Sequence, residues 1–242
     1  MTSPRMMLRC AAATHPGLRR PANEDTVLAA HPVFLVADGM GGHADGELAS
    51  RAVISAFREL VGKTWVTAQD ITAAVQRAAD RVECLGCGDG APGSTLAGAA
   101  SARRAGIACW LLFNIGDSRI YLMRSGQLRR ISVDHSTRIS SAGPGTRGGL
   151  VRAFGAGLER PVADQWLTPA HAGDRILVCS DGLSDEVAGE YLERVLRERS
   201  EPQEVVRRLV GKALAEGGRD NISVIVVDCL ETVVPEIDEL DD

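Results

Sequence analysis

Phe34-Leu35-Val36-Ala37-Asp38-Gly39-Met40-Gly41-Gly42-His43 is the stretch that decides how this chain folds. Its apolar start predicts a buried strand. The strand stops abruptly at a carboxylate. A carboxylate at the end of a rigid strand has a fixed position, and a glycine beside it lets the backbone approach a ligand and offer its own carbonyl. Hard cations such as Mg²⁺ or Mn²⁺ take oxygen-rich corners of this kind. A single Asp-Gly after a strand is only a turn. Here the pattern recurs: Gly116-Asp117 follows a run ending at Ile115, Asp181-Gly182 follows a run ending at Cys179-Ser180, and Asp220 precedes a run starting at Ile222.

Working outward, residues 6–13 read as a first strand, and 15–25 as a Pro-, Gly- and Arg-rich loop ending Arg19-Arg20-Pro21-Ala22-Asn23-Glu24-Asp25. Short strands are predicted at 27–30 and 33–37. Apolar residues at one-face spacing predict helices at about 45–61 and 67–84. Residues 86–93 form a glycine-rich loop. A β meander follows at 94–102, 106–115, 119–124 and 128–131, with turns at Ala105-Gly106 and Ser125-Gly126. Residues 134–149 are expected to be a mobile, polar loop. A strand is predicted at 163–167 and another runs into Asp181. Residues 184–199 read as a helix broken by Gly189. The last helix, 201–216, opens on Ser200-Glu201-Pro202-Gln203, which has the pattern of a capping box with Pro in the first turn. A strand at 222–227 closes the domain, and 231–242 is an acidic, solvated tail. Sheets flanked by helices in one α+β domain, 1–230, are the expected result.

Composition narrows the function. The chain has 242 residues, 45% hydrophobic and 24% charged, enough to bury a sizeable core. Its net charge of -5 argues against sequence-independent nucleic-acid binding, which needs a basic face. No segment approaches the apolar length of a membrane span, and residues 1–13 lack the apolar centre of a signal peptide. Cys109, Cys179 and Cys229 sit in apolar runs and read as small core residues. Cys84 and Cys87 form a CxxC without a second pair or a His pair at zinc spacing, so a helix end and loop is the plain reading. The set suits a reducing cytoplasm. Gly62-Lys63-Thr64 mimics the end of a phosphate-binding loop, but Phe57 stands where its first glycine is required.

Packed strands can bring Asp38, Asp117, Asp181 and Asp220 to one edge. Carboxylates crowded there repel, and a bound cation is the natural compensation. Oxygen donors point to Mg²⁺ or Mn²⁺ rather than Zn²⁺. Two such ions can lower the pKa of a shared water and aim it at phosphorus. Arg20 would grip phosphoryl oxygens. No Cys has an Arg six residues later, which disfavours a thiolate phosphatase, and no Gly-x-Ser-x-Gly elbow exists.

Six motifs occur in a telling order: Arg20-x-x-Asn23-Glu24-Asp25, Asp38-Gly39-Met40-Gly41-Gly42-His43, Gly93-Ser94-Thr95-Leu96, Gly116-Asp117-Ser118-Arg119, Ser180-Asp181-Gly182-Leu183 and Asp220-Asn221. Across roughly 6–230 the chain thereby resembles bacterial members of the metal-dependent protein phosphatase family, type 2C (PPM). The resemblance implies a four-layer α-β-β-α sandwich and hydrolysis of phosphoserine and phosphothreonine on proteins by water, opposing a Ser/Thr kinase. It implies two Mn²⁺ or Mg²⁺ ions: Asp38 bridging them, the Gly39 carbonyl on one, Asp181 and Asp220 on the other, and Glu24 and Asp25 acting through water. Asp117 would build a third, weaker site with Asp181, and Arg20 would bind phosphate. His43 is a general-acid candidate, with anchoring of the first helix as the alternative. A monomeric cytoplasmic enzyme without nucleic-acid or membrane partners is expected. Two departures stand out: the stretch 134–151 is shorter than the usual bacterial flap, and Gly93-Ser94-Thr95 replaces Gly-Thr-Thr. The alternatives are a catalytically inactive binding module, which should have lost metal carboxylates, and a metal-dependent hydrolase of small phosphoesters or nucleotides.

Overall fold

A strand buried at every position must be covered on both faces, and Val33–Ala37 and Arg175–Cys179 are two such strands. The computed structural model describes residues 5–41, 44–86, 88, 90–138, 147–198 and 200–233. The chain opens with β1 (Arg5–His15), β2 (Thr26–Ala30), β3 (Val33–Ala37) and the short β4 (Gly39–Met40). Helices α1 (Ala44–Phe57) and α2 (Ala68–Glu83) follow. Next come β5 (Gly93–Ser94), β6 (Leu96–Arg104), β7 (Ile107–Ile115), β8 (Arg119–Arg124) and β9 (Gln127–Arg130). Three short strands, β10 (Ser136–Arg138), β11 (Arg147–Leu150) and β12 (Phe154–Gly155), precede β13 (Asp164–Pro169) and β14 (Arg175–Cys179). Helices α3 (Asp181–Ser184), α4 (Gly189–Arg197) and α5 (Pro202–Ala215) lead to β15 (Ile222–Val233).

Two five-stranded antiparallel sheets result, ordered β1-β15-β14-β8-β9 and β13-β7-β6-β3-β2. Successive side chains of a strand point to opposite faces, so each strand feeds two cores. In β3, Phe34 and Val36 meet Ile176 and Val178 of β14 between the sheets, with Trp110 and Ile225. Leu35 and Ala37 point the other way and pack under α1 and α2, against Val53, Phe57, Ile71 and Val75. Leu177 and Cys179 likewise pack under α4 and α5, against Leu192, Val195, Val205 and Leu209. The layers therefore run α-β-β-α, as the resemblance implied. Phe34 is 1% exposed at the centre, and its truncation to Ala would cost about 3–5 kcal/mol.

Several local expectations change. The first helix ends at Phe57, and a 3-10 turn over Arg58–Leu60 takes its last residues. The capping box belongs to α2, where Thr67 and Asp70 exchange side-chain and backbone bonds of 3.1 and 2.9 Å. The one predicted at α5 does not form: Glu201 holds the cap position without a side-chain bond, and Pro202 starts the helix. Gly189 is the first residue of α4 rather than a break within a helix. Within the stretch expected to be loop, β10 and β11 pair, Ser136 opposite Leu150, while 139–146 lie outside the described residues. Finally, β15 runs on to Val233, because β1 is long enough to pair Thr232 with Met6. Glu231 to Val233, assigned above to the tail, are thus strand, and 234–242 lie outside the described residues.

Candidate active site

Topology gathers the carboxylates. β6 lies antiparallel between β3 and β7, so β3 and β7 run the same way and end on the same side, at Asp38 and just before Asp117. In the facing sheet β14 runs antiparallel to β15, so Asp181 after one and Asp220 before the other share an edge. Arg20, Glu24, Asp38, Asp117, Asp181 and Asp220 all line one basin of about 250 Å³. Met40 and Leu150 complete its rim.

Hydroxyls and one imidazole tie the segments that carry the acidic residues. The Asp38 N–H donates to Thr95 Oγ1 at 3.1 Å, the Thr95 N–H returns a bond to the Asp38 carbonyl at 2.9 Å, and Thr95 Oγ1 lies 2.8 Å from Ser118 Oγ. Thr95 therefore ties the Asp38 strand end to the residue after Asp117. Ser180 Oγ donates to Asp25 Oδ2 at 2.8 Å and accepts from the Ser223 N–H at 2.9 Å, tying Asp25 to the start of β15. Next to Asp117 in sequence, the Gly116 N–H donates to Nδ1 of the buried His135 at 3.1 Å, and the His135 backbone N–H donates to the Gly116 carbonyl at 3.0 Å. Its Nε2 lies 3.0 Å from Asp164 Oδ2; with Nδ1 acting as acceptor, the proton sits on Nε2. Arg20 reaches across the basin mouth to Asp220 Oδ2 at 2.7 Å.

The electrostatics are those of uncompensated negative charge. Burial pushes Asp25 up to about 6, against hydrogen bonds from Ser223 and Ser180 that pull it down, and the charges of Asp220 and Glu24 add to the rise. Asp38 is held well above the ordinary carboxylate range by burial and then by the charges of Asp25, Asp181, Asp117 and Asp220. Four carboxylates acting on a fifth is an arrangement that a bound cation relieves.

The donor set fits hard divalent cations. Asp25 Oδ1 is buried with no hydrogen-bond partner, a donor waiting for a positive charge. The backbone at Gly39 is squeezed: a Cβ there would lie 2.1 Å from the Gly46 carbonyl oxygen and 2.6 Å from that of Glu24. Only glycine lets this turn sit against the basin. Among the described residues the carboxylates ring the basin, and no three His, Cys, Asp or Glu side chains are drawn together at single-ion distances.

Every acidic residue singled out from sequence thus belongs to one site, with Asp25 beneath it and Arg20 at its rim. His43 lies outside the described residues. Thr95, Ser118, Ser180, Asn221 and His135 received no role from sequence. Four of them lie inside the quoted motifs; Ser118, Ser180 and Asn221 each stand next to an aspartate in sequence, while Thr95 has none beside it. His135 gave no signal, since its partner Gly116 is 19 residues away.

Comparison with known proteins agrees with this geometry. The profile of the family described as protein phosphatase 2C matches residues 22–216. The serine/threonine protein phosphatase PstP of Mycobacterium tuberculosis is 35% identical over 93% of this chain; the chain spans about half (46%) of that protein's length. The serine/threonine phosphatase stp of Listeria monocytogenes is 29% identical, with 81% of this chain and 84% of that protein aligned. Among solved structures, the catalytic domain of PstP in complex with two manganese ions superimposes with a TM-score of 0.78 at 35% identity, covering 93% of this chain and 99% of that one.

Proposed function

The chain belongs to the protein phosphatase 2C family, and we propose that it is a metal-dependent phosphoprotein phosphatase acting on phosphoserine and phosphothreonine. The observation that carries this reading is the basin itself: carboxylates from both sheets, one buried oxygen without a partner, and an arginine at the mouth. Mn²⁺ or Mg²⁺ ions would be held by Asp38, the Gly39 carbonyl, Asp181 and Asp220, with Glu24 and Asp25 acting through water and Asp117 serving a third, weaker site. Bound there, they would supply an acidified water and offset phosphoryl charge.

The chain's own residues do the rest. Thr95 fixes Asp38 to the loop carrying Asp117, so two strand ends of one sheet present their carboxylates side by side. Arg20 is within reach of the basin and presents a planar fork matched to a phosphoryl group. Its pair with Asp220 is half exposed and so is cheap to exchange for a phosphate contact. Phosphoproteins are the substrate class that the family membership supports, and a Ser/Thr kinase is the activity it would oppose. The cysteines among the described residues that are free, Cys10, Cys84, Cys109, Cys179 and Cys229, suit a reducing compartment, and the cytoplasm is the proposed place of work.

Phosphate release from a phosphothreonine peptide, measured with Mn²⁺, with Mg²⁺ and with EDTA, tests the proposal. Turnover that needs the metal and outpaces that on small phosphoesters is expected. A folded protein that releases nothing with either ion would point to the binding-only alternative.

A further inference from the structure

Asn221 stands between Asp220 and the first residue of β15 and is only 6% exposed. Its side-chain amide is fully used. Oδ1 accepts the Glu24 N–H at 2.8 Å, and the two hydrogens of Nδ2 go to the carbonyls of Pro16 at 2.9 Å and Ala22 at 2.8 Å. The amide cannot be turned round, because a backbone N–H only donates and a carbonyl only accepts. These three partners bracket Arg20 on both sides. The backbone just before Asn221 docks the same loop: the Leu18 N–H donates to the Gly218 carbonyl at 2.7 Å. Gly17, at φ +78°, packs so closely that a Cβ would lie 2.2 Å from the Asp220 carbonyl oxygen. The Arg20 side chain itself is half exposed. A long exposed side chain keeps most of its rotamer freedom, so its aim depends on the backbone that carries it.

We propose that Asn221 is the positioning residue of the phosphate grip. It holds residues 16–24 so that Arg20 faces the basin, and it touches no reacting atom. The inference rests on the reading of Arg20 given above. It predicts that removing the amide loosens the loop and copies the loss of Arg20, leaving Asp38, Asp117 and Asp181, which other segments carry, in place.

The test compares Asn221→Ala, Arg20→Ala and the double variant by two readouts. One is KM and kcat on a phosphothreonine peptide with Mn²⁺. The other needs no activity: the rate at which trypsin cuts the Arg19–Arg20 bond, followed by intact mass. Three lost hydrogen bonds should raise the cutting rate at least about tenfold in Asn221→Ala. KM should climb toward that of Arg20→Ala with kcat little changed, and the double variant should have the KM of Arg20→Ala alone. An unchanged cutting rate overturns the inference, and so do KM effects that multiply. If Asn221→Ala does not fold, Asn221→Asp decides by the same criteria, since it keeps an acceptor for Glu24 and loses both donors. A wild-type KM in Arg20→Ala removes the phosphate grip itself, and the inference with it. A raised KM there beside a wild-type KM in Asn221→Ala removes the inference alone.

Discussion

The two ends of strands β14 and β15 hold the same residue type under opposite conditions. At the far end, Arg175 grips Asp228 through Nε and a terminal nitrogen at 2.6 and 2.8 Å and gives its other hydrogens to the carbonyls of Leu196, Glu198 and Ser200. Beside it, Arg124 binds both oxygens of the buried Asp174 at 2.7 and 2.6 Å, and Trp110 donates its indole N–H there at 3.0 Å. At the near end, Glu24, Asp38, Asp117, Asp181 and Asp220 line a basin whose one cationic lining residue, among those described, is Arg20. A fold able to set an arginine against each buried carboxylate does so where only stability is at stake. Where five carboxylates share a basin lined by one arginine, the positive charge that balances them belongs to something bound.

The largest effect should come from breaking the acidic end. Asp38→Asn removes the residue on which four other carboxylates act. If the metal supplies several kcal/mol of charge stabilisation, kcat should fall about a thousandfold. The same variant should melt higher than wild type in EDTA, because a buried repulsive charge is gone. Near-normal kcat would refute the two-ion assignment. The converse holds at the far end. Arg175→Met strands Asp228 without its partner and should cost about 3–5 kcal/mol in urea unfolding, with kcat per folded molecule unchanged. A small stability loss there would mean that the pairing is ornamental and the contrast between the ends is false.

That contrast was partly legible in the sequence. Asp38, Asp117, Asp181 and Asp220 announced themselves because each ends or begins an apolar run, and a strand end is a feature that periodicity locates well. The Arg175–Asp228 pair did not, since Arg175 opens β14, Asp228 lies inside β15, and the two meet only through the register of β14 on β15. Positions of that kind depend on pairing between segments 53 residues apart, which no local pattern records. The capping box failed for a local reason: at α5 the cap position falls on Glu201, one residue past Ser200, while at α2 the shorter Asp70 closes on Thr67 in place of the Glu or Gln that the pattern calls for. His135 was hidden by its long-range pairing, as a polar loop residue whose partners are Gly116, just after β7, and Asp164 of β13.

A pH titration sharpens the comparison at intermediate magnitude. In metal-free protein the folded pKa of Asp25, about 6, lies above its ordinary value of 3.8. The folded chain therefore binds the extra proton. The stability this gives is present below the ordinary value and is lost as pH rises toward 6, up to about 3 kcal/mol. Carboxylates held low, such as Asp70 at about 2 beside Lys63, act on the other side and have made their contribution by about pH 4.5. His31, lowered by burial, moves stability the opposite way, but it is common to wild type and Asp25→Asn and cancels in their difference. Melting in EDTA between about pH 4.5 and 6 should show wild type losing ground to Asp25→Asn, and excess Mn²⁺ should abolish the loss. Parallel curves would mean that Asp25 carries no uncompensated charge.

The smallest expected stability effect is the most exacting test, because it sets two ion pairs of nearly equal length against each other. Arg20–Asp220 closes at 2.7 Å and Arg175–Asp228 at 2.6 Å. The first pair is 51% and 37% exposed, the second 7% and 11%. Water already solvates Arg20, so Arg20→Ala should change the unfolding free energy by no more than about 1 kcal/mol. Its consequence should fall on KM instead, raised about tenfold or more if one charge-assisted contact to phosphate is lost. A large stability loss with unchanged KM would make Arg20 a structural partner of Asp220, and the near end would then be paired in the same sense as the far one. A small stability loss with a raised KM means that the same bond length serves two purposes, and that burial, not distance, separates an arginine that holds the fold from one left free to exchange its carboxylate for a substrate.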